Sequence, residues 1–362
     1  MKILHIQLLP LLSGVQRVSL NEMTVMKSNF DYSLICASRG PLTQKLDENG
    51  IKSYLIPELS REINFSKDIK AFSKMFRLIK KEQFDVVHTH SSKTGVLGRV
   101  ASKLAGVKKV VHTVHGFSFP AAQSKPSYLL YFFLEWFAKF FTDVLIVLNQ
   151  TDADIAIKKL GYDKKKVFIV PNGVDIAQFK PVTKSFDNEK LNIIMVGRLW
   201  RQKDPETLLR AAISVLKNNY NISLTFVGDG ELKNNMQAAS IDYRDSIKFN
   251  GWCDNISELL SESDLFVLPS LWEGMPLAIL EALSCGVACV VSDIPGNNDL
   301  ISNGFNGYLF PAGDDSKLAN IIINYINNPS KLREHSINSR QFIESDYSLN
   351  VRNEKIKNIY LN

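Results

Sequence analysis

The stretch DLFVLPSLWEGMPLAILEALSCGVACVVS, residues 264–292, decides the fold. Residues 265–268 form a short continuous apolar run bounded by Pro269, which reads as a strand. Residues 270–274 are a loop, and Pro276 suits the first turn of a helix. A second apolar run, 288–292, follows Gly286. Neither run alternates with polar residues, so both strands are buried on two faces, as in a parallel sheet covered by helices.

Working outward, the same alternation recurs along the chain. Candidate strands lie at 2–8, 32–37, 52–56, 86–90, 109–114 and 144–148. A second series lies at 167–170, 191–196, 223–227, 247–250, 265–268 and 288–292. Two series of about six strands, separated by helical patterns, predict two Rossmann-like, doubly wound parallel-sheet halves. A length of 362 residues accommodates two domains. The seam falls at 171–190, PNGVDIAQFKPVTKSFDNEK, which is rich in turn and polar residues. The division is therefore 1–172, 173–346, and a final helical segment, 347–362, that packs back toward the first half.

Bulk properties narrow the function. A net charge of +6 suits an anionic ligand or an acidic membrane surface, and no basic block, zinc-finger spacing or aromatic-basic signature points to nucleic acid. Four scattered cysteines do not make a disulfide framework, and Cys285 and Cys289 sit among small apolar packing residues. The opening MKILHIQLLPLLSG imitates a signal peptide, but His5 and Gln7 interrupt its apolar core, so a first strand running into a glycine loop is expected. No stretch reaches the ~18 apolar residues of a spanning helix.

In open α/β sheets ligands bind beyond the carboxyl ends of the strands, and the chemically informative residues cluster there. Glu273 and Glu281 stand eight positions apart in the opening stretch. An acid–base pair, a metal clamp and a ligand clamp are all conceivable. Eight residues of helix rise roughly 12 Å, beyond the ~5–9.5 Å of glycosidase carboxyl pairs. Two clamps on an extended ligand fit better, with a helix N-terminus at Gly274, Met275 and Leu277 between them for phosphate. A carboxylate accepts hydrogen bonds from vicinal hydroxyls such as those of a ribose. Upstream, the strand at 191–196 ends at Gly197, Arg198 follows, and Lys203 precedes the helix start at Asp204 and Pro205. Two cations at a strand end form a diphosphate clamp. Gly14, in the first loop, lets backbone approach a ligand at another helix start.

Glu-x7-Glu in this setting, followed by CGVACVVSDIPGNNDLISNGFNGYLF, resembles the retaining glycosyltransferases of family 4, which have the GT-B fold. The likeness continues through VPNGVD (170–175), VGRL with Lys203, VGDGEL (227–232) and DLFVLPS (264–270). It implies two Rossmann-like domains facing a central cleft. It also implies that Arg198 and Lys203 hold the donor diphosphate, Glu281 the nucleotide ribose and Glu273 the donor sugar, while Gly14 approaches the phosphates. His115, followed by Gly116, matches the family's cleft histidine. Where the family commonly has Gly-Gly and then Glu before an Arg, this chain has Ser13, Gly14 and Gln16 before Arg17. Gly296 and Asp299 stand where a later loop usually carries Gly-Gly and a glutamate.

Three other features bear on function. His88, His90, His112 and His115 fall at two strand ends, but no carboxylate or cysteine accompanies them at metal-ligand spacing; Lys93 and Thr94 nearby are candidates for an acceptor phosphate. Asp152 and Asp154 spell D-x-D, yet they follow Asn149 at a helix start, where acidic residues complement the dipole. The segment from Tyr128 to Phe141, YLLYFFLEWFAKFF, has eight aromatics broken only by Glu135 and Lys139. Part of it belongs in a core, and the rest suits a monotopic contact with lipid.

The resulting expectation is a cytoplasmic enzyme, peripheral at the inner face of the membrane. It moves a sugar with retention from a nucleotide sugar, UDP-linked, to a polyprenyl-diphosphate-linked saccharide in surface polysaccharide synthesis. No metal or other cofactor is called for, because the protein supplies the cations, and domain closure excludes water. The rival readings are a nucleotide-sugar epimerase of the same architecture and a histidine-based metal hydrolase.

Overall fold

The computed structural model describes residues 1–120, 122, 124–183 and 190–362. Of the connection expected at 171–190, residues 184–189 lie outside the described residues. The chain divides into two compact units, one of residues 1–172 with 352–362 and one of residues 173–351.

The first unit runs β1 (Lys2–Ile6), α1 (Gly14–Val25), β2 (Asp31–Cys36), α2 (Pro41–Glu48), β3 (Lys52–Leu55), α3 (Phe65–Glu82), β4 (Val86–His90) and α4 (Ser92–Leu104). It continues with β5 (Lys109–Thr113), α5 (Lys125–Ala138), β6 (Val144–Val147), α6 (Gln150–Asp154) and β7 (Val167–Ile169). The strands form a parallel sheet in the order β3-β2-β1-β4-β5-β6-β7. The direction in which successive strands are added reverses between β1 and β4, so their carboxyl ends flank the crevice where doubly wound sheets bind ligands. Successive residues of β1 feed opposite faces. Ile3 joins Leu34, Val111 and Ile146 on one side, while Leu4 and Ile6 join Val87, Val110 and Met75 on the other. Both faces are covered, which is why the strand sequences read as continuous apolar runs. The last helix, α13 (Leu349–Leu361), puts Ile356, Ile359 and Tyr360 into the first of these clusters.

The second unit runs β8 (Leu191–Val196), α7 (Pro205–Lys217), β9 (Ile222–Val227), α8 (Lys233–Ala239), β10 (Ile247–Gly251), α9 (Ile256–Ser261), β11 (Leu265–Leu268) and α10 (Leu277–Ser284). β12 (Ala288–Ser292), β13 (Gly307–Phe310), α11 (Asp315–Asn327) and α12 (Pro329–Asp346) follow. Its parallel sheet has the order β10-β9-β8-β11-β12-β13, with the reversal between β8 and β11.

Two expectations are corrected. The run at 167–170 belongs to the first sheet, because β7 pairs with β6 through Leu145 and Val167. Its apolar sequence carries no mark of which sheet it joins, and Phe168 and Ile169 remain exposed at the edge. The sixth strand of the second sheet is instead Gly307–Phe310. It pairs with β12 at the other edge and is half-buried in its middle, so four residues after a turn-rich loop do not announce it.

Candidate active site

The loops after β8 and β11 meet at the switch point of the second sheet. After β8 the chain turns through Arg198 and Trp200 into a 3-10 turn, Arg201–Lys203, before α7 starts at Pro205. The backbone N–H of Leu271 donates to the Gln202 carbonyl at 2.8 Å, and the Gln202 amide donates to the Trp272 carbonyl at 3.0 Å. These two bonds bring Lys203 onto Glu273, and their side chains form an ion pair. Glu273 also accepts from Ser270 Oγ at 2.7 Å, and its side chain is only 7% exposed. Lys203 thus neutralises a carboxylate that Ser270 orients. The sequence reading assigned the two residues to different parts of a ligand; the structure makes them direct partners.

Arg198 stacks its guanidinium on the exposed Trp200 ring, 4.7 Å from the centroid. Packing of the neighbouring loops leaves room only for glycine at three points, one of them Gly230, where a Cβ would collide with the Leu199 carbonyl. Gly228, after β9, has φ +134°, and a Cβ there would collide with the Gly197 carbonyl. Gly296, after β12, has φ +89°, and a Cβ would collide with the Gly274 carbonyl. Its N–H donates to Asp299 at 2.9 Å. The glycines of VGDG and PGNND therefore press the switch-point loops together.

Glu281 is the fifth residue of α10 and is buried within an apolar helix. Because α10 begins at Leu277, with Pro276 as its cap, Glu273 lies in the loop and the rise from 273 to 281 is only partly helical. Gly274 and Met275 lie in the loop just before the helix, Met275 buried. A carboxylate inside such a helix is costly without a polar role, whereas an exposed glutamate would have asked for none.

In the first unit, Gly14 is the first residue of α1, and a Cβ built on it meets no protein atom within 4 Å. Ser13 Oγ donates to Gln16 Oε1 at 2.5 Å, so the two residues that depart from the family pattern bond to each other. His115 lies just past the carboxyl end of β5, beside the β1/β4 switch point. It is the outer member of a histidine cluster. His115 Nε2 lies 3.1 Å from His90 Nδ1, and His90 Nε2 lies 3.0 Å from His5 Nδ1. His5 Nε2 then faces Glu22 Oε1 at 3.4 Å. His88 bonds Tyr360 at 2.5 Å and Thr113 at 2.7 Å. Tyr360 donates to Glu22, and Arg352 stands 3.6 Å from the other Glu22 oxygen.

Burial pushes the His88 imidazole down to about 4 and the His115 imidazole to about 3, and it also depresses His90 and His112. Burial by itself would raise Glu22, but hydrogen bonds from His5 and His88 outweigh it and hold that carboxyl well below the usual range. Burial and the neighbouring Glu22 raise the Tyr360 phenol. His88, His90, His112 and His115 are thereby held neutral near one buried carboxylate. Nitrogens of His5, His88 and His90 lie within 4.8 Å of one another, but they are engaged as hydrogen-bond partners. His5, Glu22, Tyr360 and Arg352 were not foreseen as parts of this site. His5 was read only as a break in an apolar run, and the other three lie far from the histidines in sequence.

Other sequence candidates have local duties. Lys93 pairs with Asp68 at 2.6 Å, and Thr94 donates to the His90 carbonyl at 3.0 Å. Asn149 caps α6 through the Asp152 N–H at 2.7 Å, and Asp154 pairs with Lys158 at 2.6 Å. Glu135, the charge inside the aromatic segment, points inward to the buried Arg99 at 2.8 Å. Tyr128 and Phe132 pack edge-on against Phe119. Leu129, Phe133, Trp136, Phe137 and Phe140 face outward, with Phe133 56% and Phe140 63% exposed. Among the described residues, no helix is long and apolar enough to cross a membrane.

Residues 12–178 match the model of Glycosyltransferase Family 4, and residues 177–342 match that of Glycosyl transferases group 1. An Escherichia coli protein named UDP-Gal:alpha-D-GlcNAc-diphosphoundecaprenol alpha-1,3-galactosyltransferase is 44% identical over 99% of this chain and 96% of its own. The chain belongs to glycosyltransferase family 4. A Campylobacter jejuni relative, N,N'-diacetylbacillosaminyl-diphospho-undecaprenol alpha-1,3-N-acetylgalactosaminyltransferase, is 28% identical over 78% of each chain. The crystal structure of Anabaena HepE in complex with UDP and glucose superposes with a TM-score of 0.85 at 19% identity, covering all of both chains. The family 4 chain is a glycosyltransferase, and its fold is GT-B.

Proposed function

We propose that this glycosyltransferase moves galactose with retention from UDP-galactose to a GlcNAc residue carried on a polyprenyl diphosphate, in the assembly of a surface polysaccharide. The observation that carries the reading is the convergence of Arg198, Lys203, Glu273 and the start of α10 at one switch point. In the reaction the bond from sugar C1 to the diphosphate oxygen breaks, and a bond from C1 to an acceptor hydroxyl forms on the same face. The hydroxyl proton passes to the departing diphosphate. Arg198, Lys203 and the N–H groups at Gly274, Met275 and Leu277 stabilise the charge that develops there. Glu281 accepts hydrogen bonds from the ribose hydroxyls, Glu273 holds the sugar, and His115 contacts the reacting sugar. Because the cations belong to the protein, transfer is expected to survive chelation with EDTA.

The 44% relative, which its name places on a UDP-sugar and an undecaprenyl-diphosphate acceptor, supports the choice of substrates. The outward aromatics of α5 support seating at the cytoplasmic face of the membrane, where a lipid-linked acceptor resides. Calorimetric titration of UDP tests the site: Arg198→Ala should weaken binding roughly 10- to 100-fold, as loss of a charge-assisted bond implies. Failure of the wild type to bind UDP would sink the reading. A donor panel against GlcNAc-diphosphoprenol, with the product linkage read by NMR, tests the substrates.

A further inference from the structure

Hydrogen-bond roles in the buried histidine cluster can be worked out from its inner end. Glu22 faces the Arg352 guanidinium at 3.6 Å and accepts from the Tyr360 hydroxyl, which marks it as a carboxylate, an acceptor only. Tyr360, having given its proton to Glu22, also acts as an acceptor toward its other neighbours. His5 Nε2 has both groups within reach, Glu22 at 3.4 Å and Tyr360 at 3.4 Å. Both are acceptors, so His5 Nε2 carries a proton. Arg352 already balances the Glu22 charge, so a second buried cation would lack a counter-charge, and His5 Nδ1 carries the lone pair. The 3.0 Å contact then requires a proton on His90 Nε2, which leaves a lone pair on His90 Nδ1. By the same step, the 3.1 Å contact requires a proton on His115 Nε2. The side branch agrees: His88 Nδ1 donates to Tyr360, and His88 Nε2 accepts from Thr113. His5, Glu22, His88 and His90 are all buried, so water does not interrupt the order.

We infer that Glu22, His5 and His90 are positioning residues that fix His115 as the neutral Nε2–H tautomer and present its Nδ1 as a hydrogen-bond acceptor. An acceptor nitrogen at the carboxyl end of β5 suits a sugar hydroxyl and not a phosphate, since a phosphate oxygen offers no proton. The role of His115 toward sugar rests on the function proposed above; its tautomer does not.

The test is long-range ¹H–¹⁵N correlation of the histidine side chains in the substrate-free protein, with His115 assigned through His115→Gln. His5, His90 and His115 should all appear as neutral Nε2–H rings at pH 7. In Glu22→Gln, the amide turns its oxygen to Arg352 and its N–H₂ to His5, so the chain should invert and His115 should become Nδ1–H. Loss of the orienting group should also lower the transfer rate at least tenfold without weakening UDP. A merely structural Glu22 would leave the His115 tautomer as it was. An Nδ1–H His115 in the wild type, a tautomer unmoved by Glu22→Gln, or resonances that shift on adding EDTA and so reveal a bound metal would each overturn the inference. The wild-type spectrum decides the first and last of these even if the variant fails to fold.

Discussion

α5 and α10 are both strongly apolar helices with one buried glutamate, yet they are used in opposite ways. α10 buries every side chain from Ile279 to Ser284, Glu281 among them. α5 turns its charge inward, Glu135 onto Arg99, and its Phe133 and Trp136 outward; Phe140, in the turn that follows it, also faces outward. The inner stripe of α5, at Tyr128, Phe132, Glu135 and Ala138, has regular helical spacing, so the helix is amphipathic with the usual polarity partly reversed. Apolar composition does not tell which face of a helix is buried. The partner of its one charge does.

The largest expected effect breaks the anchor of α5. Arg99→Met should destabilise the first unit by about 3–5 kcal/mol, because Glu135 is left charged and unpaired. The double variant Arg99→Met with Glu135→Leu should recover most of this in urea denaturation. A double variant as unstable as the single would mean that Arg99 acts mainly through its bonds to the Gly95 carbonyl, Thr142 and Tyr162. For α10, Glu281→Ala should weaken UDP by roughly 1.5–3 kcal/mol, as removal of a charged acceptor implies. If calorimetry finds UDP affinity unchanged, Glu281 is a core group like Glu135, and the contrast between the helices collapses.

The cluster histidines predict a pH dependence next in size. His88 and His115 have folded pKa values, about 4 and about 3, below the unfolded value of about 6.5. The unfolded chain therefore binds more protons in acid. Stability is complete above pH 6.5 and falls as pH drops toward 4, by about 2 kcal/mol for each such histidine at pH 5. Glu22, also depressed, adds its loss below its unfolded value of about 4.5. Denaturation midpoints at pH 7.5 and pH 5 measure this, and equal midpoints would contradict it. The smallest effect on stability belongs to the outer face of α5 and the turn that follows it. Phe133→Ser, Trp136→Ser and Phe140→Ser together should move stability by no more than about 0.5 kcal/mol for each substitution. They should nevertheless abolish sedimentation with vesicles of anionic lipid; retained sedimentation would return this face to a different partner.

Much of the fold was legible because parallel strands buried on two faces leave unbroken Val, Ile and Leu runs, and eleven of these runs sit in the sheet to which they were assigned within two residues of their observed ends. Two of the four edge strands, β7 and β13, were the failures. Their side chains are half-exposed, and pairing alone decides their membership. Around the switch point, the sequence drew attention to Arg198, Lys203 and Glu273 as candidates because glycine, proline and charge concentrate at strand ends. The ion pair between Lys203 and Glu273 was not legible, since the two lie 70 residues apart.

Sequence alone determined the two-unit α/β architecture, the family, and the loops in which glycine, proline and charge concentrate. These depend on local periodicity and on residue types that only certain backbone conformations tolerate. Only the tertiary structure decided which charges meet. Glu22 finds His5, Arg352 and Tyr360, Arg99 finds Glu135, and the aromatics of α5 face outward. Such pairings are set by strand order and by the return of the C-terminal helix, so they leave no periodic trace along the chain.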